Sequence, residues 1–568
     1  MSGVCACPQR DQSIAMRKGD GFTRLGSSRR RELLVLFGII VLQVCLMVYA
    51  GFQRQDMHTD EVYSYVIANS TQADRFSHAD WLQDTWVHGE DFDSLTTVHP
   101  GDELNLAAAY HNTSLDSHPP LYYWALHLVC ALFQGPLNWW VGIGLNIAFF
   151  IGAELFVFLA SRELIGPGVL SFAPVAAYGF SAFAVGTVEF IRMYMLLTLW
   201  AALYTWLTVR IMMRGFSARR VVVAAVVLYA GVMTQYYFAF YAFWLTLVVV
   251  LRFFSKGEAK HAVIMGLSSI AAIALLLITF PAAIAQATGS PTNNVGNEVS
   301  RSLFDVGLWL AQTKSLARET ALGITYSDDL SRIAFGAAAV MACVSCLALI
   351  VLRNRVGDDN RKRLSVALVL AACWLLTFLT VAKVGGDYVY LRYIYFIIPF
   401  AFLILFTFVC VAGSLFPGRA CMAVDVCCFI LVIGLFGANC TVMGGSDDLP
   451  YMYAQGGKNV SAVAAYDSSP LVILYKDSPN VVLTNNYTTM RRFDRVFAGT
   501  EDDAISAGVF DDALETKASC VLYIPKSTYW TDGFDSEEVL AKIRLSHPGL
   551  RATVVNSREF GDYYVLSD

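Results

Sequence analysis

The chain is expected to fold as an all-α, multi-pass membrane domain followed by a small C-terminal α/β domain. Three observations predict this. Of 568 residues, 56% are apolar and only 15% charged, with a mean hydropathy of +0.51, which is too apolar for one soluble domain. Apolar stretches near twenty residues long, enough to cross a bilayer as helices, recur from Leu33 to about residue 441. Past Gly445 Asp and Asn become frequent and no apolar run approaches that length. The net charge of −5 decides little, because the basic residues are segregated by position. The thirteen cysteines lie mainly in apolar segments and suggest no metal or disulfide framework.

Residues 1–32 carry Arg17, Lys18, Arg24 and Arg29 to Arg31 among Gly and Ser, and read as a disordered cytoplasmic tail. Residues 33–444 form the expected transmembrane domain. Its first span, Leu33 to Phe52, leads into an external loop over 54–120 that carries twelve Asp and Glu against two Arg, and six of the nine histidines. The next apolar stretch, Leu121 to Phe133, is short and interrupted by His127. If it does not cross, the later clusters at Arg162, Arg210 to Arg220, Arg252 to Lys260, Arg353 to Arg363 and Arg419 all fall in the cytoplasm; if it crosses, all fall outside. It is therefore read as a shallow juxtamembrane helix.

On that reading about eleven spans lie near 33–52, 138–160, 168–187, 193–213, 220–237, 238–254, 262–286, 332–352, 364–382, 391–413 and 421–441. The odd number puts the C-terminus outside, opposite the N-terminus. Ser302 to Leu322, in a second external loop, has the pattern of an amphipathic surface helix. In the domain over 445–568, apolar runs at 471–475, 481–483, 520–524, 552–555 and 563–566 suggest strands, and Ser536 to Leu545 suggests a helix.

This topology gathers Asp60, Glu61, Glu189, Arg192, Tyr194, Lys383, Asp387, Arg392 and Tyr393 at the external membrane face. A carboxylate there would accept a hydroxyl proton, and Arg or Lys at the headgroup boundary would hold a phosphate whose tail remains in lipid. A simpler account also stands: Asp60 caps a helix that buries Val62, Tyr65 and Val66, and the basic residues snorkel at span ends. A divalent cation (Mg, Mn or Ca) bound by Asp60 or Glu61 would suit hard oxygen ligands, whereas the histidine spacings match no compact metal motif. With neither a Walker loop nor a Rossmann fingerprint, no coupling to ATP is expected; the expected partners are a sugar donor and its acceptor, with no nucleic acid.

Asp60-Glu61 after the first span, His118-Pro119-Pro120-Leu121-Tyr122-Tyr123, Arg192-Met193-Tyr194, and Arg392-Tyr393 with Pro399 resemble, in order and spacing over residues 30–415, the polytopic GT-C glycosyltransferases. The similarity is to the group of protein O-mannosyltransferases and the lipid A aminoarabinose transferase. The resemblance implies an enzyme of the cell membrane that moves a sugar from a polyprenyl-phosphate donor to a lipid, glycan or protein acceptor on the extracytoplasmic side. It implies Asp60 as general base, Glu61 as its partner, Arg192, Lys383 and Arg392 on the donor phosphate, and Tyr194, Tyr393 and His118 among the substrate-binding residues. The sequence departs from the pattern at Phe190, where the group often has Glu; Glu189 stands one residue earlier. The alternative from another class, a transporter or flippase of polyprenol-linked lipids, predicts charges lining a path through the spans, which apart from Glu154 hold few. A third, an external sensor built on 446–568, leaves the acidic loop unexplained.

Overall fold

The computed structural model describes residues 20–54, 56–71, 85–288, 304–385, 390–416, 418–443, 461–476, 479–506, 508–517, 519–528, 532–557 and 560–567. Most of the expected tail and Asp387 lie outside these, and the first helix starts earlier than its apolar stretch, at Asp20. Among the described residues nine helices are long and apolar enough to cross a membrane: Arg30–Gln53, Trp139–Leu164, Tyr194–Arg214, Tyr237–Ser255, Ala259–Thr279, Asp328–Val351, Asp358–Val384, Leu391–Gly413 and Met422–Thr441. Val169–Gly179 and Ala182–Glu189, bent by 51°, make a tenth if taken as one broken span.

The count differs from the expected eleven at 220–237, where the helix is only Ala218–Val232, fifteen residues or about 22 Å. Its ends nevertheless reach opposite faces. Phe216, just before it, stacks on His261 at 4.1 Å, and Met233, just after it, accepts a hydrogen bond from the Leu121 N–H at 3.1 Å.

The two faces are distinct in chemistry. On one, Arg162 bonds Glu32, Arg214 bonds Glu163 at 2.9 Å, Arg252 bonds Ser365 at 3.0 Å and Arg363 bonds the Ile165 carbonyl at 3.1 Å. The other carries the loop after the first span. The short apolar helix Leu121–Leu132 is tied to this second face at its start and its middle. Its first N–H meets Met233, while farther along His127 bonds the carbonyls of Ala68 at 2.9 Å and Asp102 at 3.0 Å.

The C-terminal domain holds a five-stranded sheet of β1 (Leu471–Leu474), β2 (Val496–Gly499), β3 (Ser519–Pro525), β4 (Arg551–Ser557) and β5 (Gly561–Ser567). The order is β2-β1-β3-β5-β4, parallel across β2-β1-β3 and antiparallel beyond. Leu471 and Ile473 of β1 face the same apolar core as the membrane helices. Val472 and Leu474 face a second core closed by the helices Val509–Thr516 and Ser536–Ser546. That two-sided burial is why β1 reads as an unbroken apolar run.

One expected strand is a helix. Val481 to Leu483 belongs to Pro479–Met490, which buries Val482, Leu483, Asn486, Tyr487, Thr489 and Met490 on one side. A three-residue apolar run does not distinguish the two periods. β2, which the apolar runs did not reveal, is only four residues long.

The acidic loop docks onto this domain. Val87 and Val496 exchange backbone hydrogen bonds at 2.9 and 2.8 Å, adding one bridge to the edge of β2. Gly89 packs so closely that a Cβ would lie 2.1 Å from the Met490 carbonyl oxygen. Asp93 pairs with Arg491 at 2.6 Å and accepts the Tyr487 hydroxyl at 2.7 Å.

Candidate active site

The site is built on the first turn of the helix Thr59–Asn69. Its cap is His58: the Asp60 N–H donates to Nδ1 at 2.9 Å, and the His58 N–H donates to the Glu61 carboxylate at 2.7 Å. The two bonds form a capping box. This corrects the expectation that Asp60 caps the helix: with the capping done by His58 and Glu61, the Asp60 carboxylate is left to face elsewhere.

Glu61 lies beneath the site, fully buried. Its carboxylate pairs with Arg54 and accepts the Ile191 N–H at 2.8 Å. Arg54 in turn bonds the carbonyls of Glu189 at 2.6 Å and Asp56 at 2.9 Å. One buried ion pair thus ties the end of the first span, the start of the Thr59–Asn69 helix and the 189–192 segment. Removing one member of such a pair costs about 3–5 kcal/mol, because it strands the other charge.

Asp60 faces a different way. Its carboxylate is 25% exposed and meets the Arg392 guanidinium at 2.9 Å, with His58 Nδ1 at 3.9 Å. Arg192 lies below; one Nη donates to the Asp60 carbonyl at 3.3 Å, Ser64 Oγ at 3.3 Å and the Tyr123 hydroxyl at 3.1 Å. Burial alone would raise the Asp60 carboxyl, but the positive charges of Arg192 and Arg392 outweigh it and hold the group well below the usual carboxylate range. Burial also lowers His58, to about 4, so it is a neutral cap at physiological pH.

Aromatic rings wall the cluster. Phe190 and Tyr194 stack at 5.9 Å, Tyr194 approaches Tyr393 at 6.5 Å, and Tyr393 stacks on Tyr237 at 4.8 Å. Arg392 lies against the rings of Tyr390, Phe190 and Tyr393, at 4.5, 5.7 and 5.8 Å. Such contacts fix a guanidinium's orientation without neutralising it. Phe190, the departure from the family pattern, is thus part of the wall. Glu189 is buried, and neither carboxyl oxygen has a hydrogen-bond partner among the described residues.

The fold therefore brings Asp60, Arg192, Arg392, Tyr194 and Tyr393 together. His118 lies beside them, its Nδ1 bonded to Asp116 at 2.8 Å. Lys383 is held toward the helix Val306–Leu322, bonding the Asp305 carbonyl at 2.8 Å over the Trp309 ring. Arg54, Asp116 and Tyr237 were not singled out from sequence, and His58 and Tyr123 stood only within longer runs without a role of their own. The three-residue spacing of His58 and Glu61 was a further sign that could have been read.

The donor set does not suit a divalent cation. Asp60 and Glu61 each face a different guanidinium, and two arginines flank Asp60. Among the described residues no three His, Cys, Asp or Glu converge to hold a metal.

No protein-family model and no curated protein sequence matches the chain. Solved structures do. ArnT from Cupriavidus metallidurans, bound to undecaprenyl phosphate, is similar at 12% identity and TM-score 0.46, covering 93% of this chain and 98% of that one. The Archaeoglobus fulgidus oligosaccharyltransferase, in complex with Zn and sulfate, is similar at 12% identity and TM-score 0.44, over 85% and 67%. The mycobacterial arabinofuranosyltransferase AftD is similar at 12% identity and TM-score 0.41, over 93% and 39%. No residue role follows from similarity at this level of identity.

Proposed function

We propose that this protein is a membrane glycosyltransferase that moves a sugar from a polyprenyl-phosphate donor to a lipid, glycan or protein acceptor at the extracytoplasmic face. The observation that carries the reading is the cluster of Asp60, Arg192 and Arg392 on the face opposite the basic clusters. Displacing a polyprenyl phosphate from an anomeric carbon requires removal of an acceptor proton and stabilisation of charge on the departing phosphate. Asp60 serves the first need and the two guanidiniums the second. Glu61 acts by positioning: its pair with Arg54 sets the height of the first turn that carries Asp60.

Arg392 pairs with Asp60. A lipid phosphate arriving at Arg392 competes with that carboxylate, so donor binding loosens Asp60 and makes it a better proton acceptor at the moment it is needed. Tyr194 and Tyr393 give the sugar ring an aromatic wall. In this reading the N-terminus is cytoplasmic and the C-terminal domain extracytoplasmic.

The test is mass spectrometry of membrane lipids and envelope glycans from cells with and without the gene, together with titration of the purified protein with undecaprenyl phosphate. The expected result is a sugar-sized mass that disappears with the gene, and saturable phosphate-lipid binding lost in Arg392→Ala. Unchanged glycans with no lipid binding would overturn the proposal.

A further inference from the structure

The proposed transfer leaves a proton to dispose of, and Asp60 is poorly suited to keep it. Arg192 lies against its backbone, and once the phosphate product leaves Arg392 that guanidinium returns to the carboxylate, so both favour the charged form. His58 is no outlet, because its Nδ1 is committed to the helix cap.

His118 is built differently. Its Nδ1 bonds the Asp116 carboxylate at 2.8 Å, with Ser117 Oγ at 3.1 Å. A carboxylate can only accept there, so Nδ1 carries the hydrogen and Nε2 presents its lone pair. Among the described residues Nε2 has no hydrogen-bond partner. The side chain is 17% exposed, neither sealed in the core nor out in solvent.

The segment is anchored on both sides. The Asp116 carbonyl accepts Gln286 Nε2 at 2.6 Å, and Gln286 accepts the Tyr236 hydroxyl at 2.6 Å. Two prolines follow His118, and the Leu121 N–H beyond them is tied to Met233. The charged and titratable groups facing the pair are Asp60 and Tyr63 on the Thr59–Asn69 helix, Tyr123 on Leu121–Leu132, Arg192 on its segment and Tyr236 before Tyr237–Ser255. Arg192 bonds both the Asp60 carbonyl and the Tyr123 hydroxyl, and Tyr236 reaches the Asp116 carbonyl through Gln286.

We propose that His118, oriented by Asp116, is the proton relay that empties Asp60 after each transfer, an inference that rests on the glycosyl-transfer reading above. In that step the acceptor oxygen bonds the anomeric carbon. The bond from that carbon to the phosphate oxygen breaks, and its electron pair leaves with the polyprenyl phosphate. The acceptor proton passes to Asp60 and then to Nε2 of His118. The imidazolium so formed is paired with Asp116 and releases its proton to solvent, so both groups return to their starting states.

The test uses the full-length protein in detergent. A lipid extract of the native membrane supplies donor and acceptor, and undecaprenyl phosphate is the binding probe. His118→Gln is expected to lower turnover about 10²-fold, the low end for a proton-transfer group, to remove the limb of the pH–rate profile that the relay imposes, and to leave undecaprenyl phosphate binding unchanged. Added imidazole should restore part of the turnover in His118→Ala, a rescue that a structural role would not give. Asp116→Asn should fall in the same direction by less. In the wild type, diethyl pyrocarbonate should acylate His118 along with the exposed His99 and His111.

A His118→Gln protein with wild-type rate and pH profile overturns the relay. So does a His118 that stays unmodified while His99 and His111 react. A wild type that neither binds undecaprenyl phosphate nor transfers sugar overturns the glycosyl-transfer reading and the relay with it, and is recognised because the parent protein itself fails.

Discussion

Replacing Asp60 by Asn separates the roles that one carboxylate would otherwise blur. The side chain keeps its size, and the cap of the Thr59–Asn69 helix survives because it is made by His58 and Glu61. What disappears is the negative charge 2.9 Å from Arg392. The pair is partly exposed on both sides, so its loss should cost about 1–2 kcal/mol, between the values for exposed and buried pairs. Because the folded-state pKa is depressed, the pair stabilises the fold above the ordinary carboxylate pKa of about 4 and loses that contribution only as pH falls through the lower folded value. Between about pH 5 and 9 wild-type stability should therefore be flat on Asp60's account.

Turnover of the Asn variant should fall by about 10²- to 10⁴-fold, the usual contribution of a positioned base. Affinity for undecaprenyl phosphate should hold or rise by up to about fivefold, since Arg392 no longer has an internal competitor and about 1 kcal/mol is released. The assay is a lipid titration by tryptophan fluorescence beside sugar transfer on the same preparation. If affinity falls together with activity, Asp60 supports the phosphate site instead of competing for it; if activity is unchanged, Asp60 is not the base.

Arg192→Ala and Arg392→Ala should each raise the apparent donor constant more than they lower turnover, because a phosphate contact present before reaction contributes to binding as well; normal donor titrations in both would leave them as span-end anchors. Glu61→Gln should lose about 3 kcal/mol or more of stability by stranding Arg54, seen as poor expression or a lowered melting temperature, with any surviving protein binding lipid normally. Gly89→Ala would push a Cβ against the Met490 carbonyl and should loosen the acidic loop from the C-terminal domain, detected as faster proteolysis between them. Single cysteines near Asp91 and at the C-terminus should react with an impermeant reagent on intact cells while one near Asp359 does not; labelling at Asp359 alongside Asp91 would mean that Leu121–Leu132 crosses the membrane.

Sequence by itself determined the features that depend on composition over long windows. Twenty-residue apolar stretches require helices, because a bilayer leaves no other partner for their backbone groups. The positional bias of Arg and Lys was enough to hold Leu121–Leu132 to one face, where His127 and Met233 now bind it. The polar residues near the span ends that form the site were also legible, including Asp60, Arg192 and Arg392. Short-range patterns were not: a three-residue apolar run went to the helix Pro479–Met490, and the helix Ala218–Val232, at fifteen residues, falls below the length a span usually needs.

Only the tertiary structure divided Asp60 from Glu61. Adjacent residues on a helix point about 100° apart, so one carboxylate is turned down onto Arg54 and the other out to Arg392. The same folding set Lys383 toward Asp305 and placed the Asp116–His118 pair beside Arg192. Asp60 meets an arginine far along the chain and Lys383 meets a carbonyl 78 residues away, and no local pattern encodes those distances.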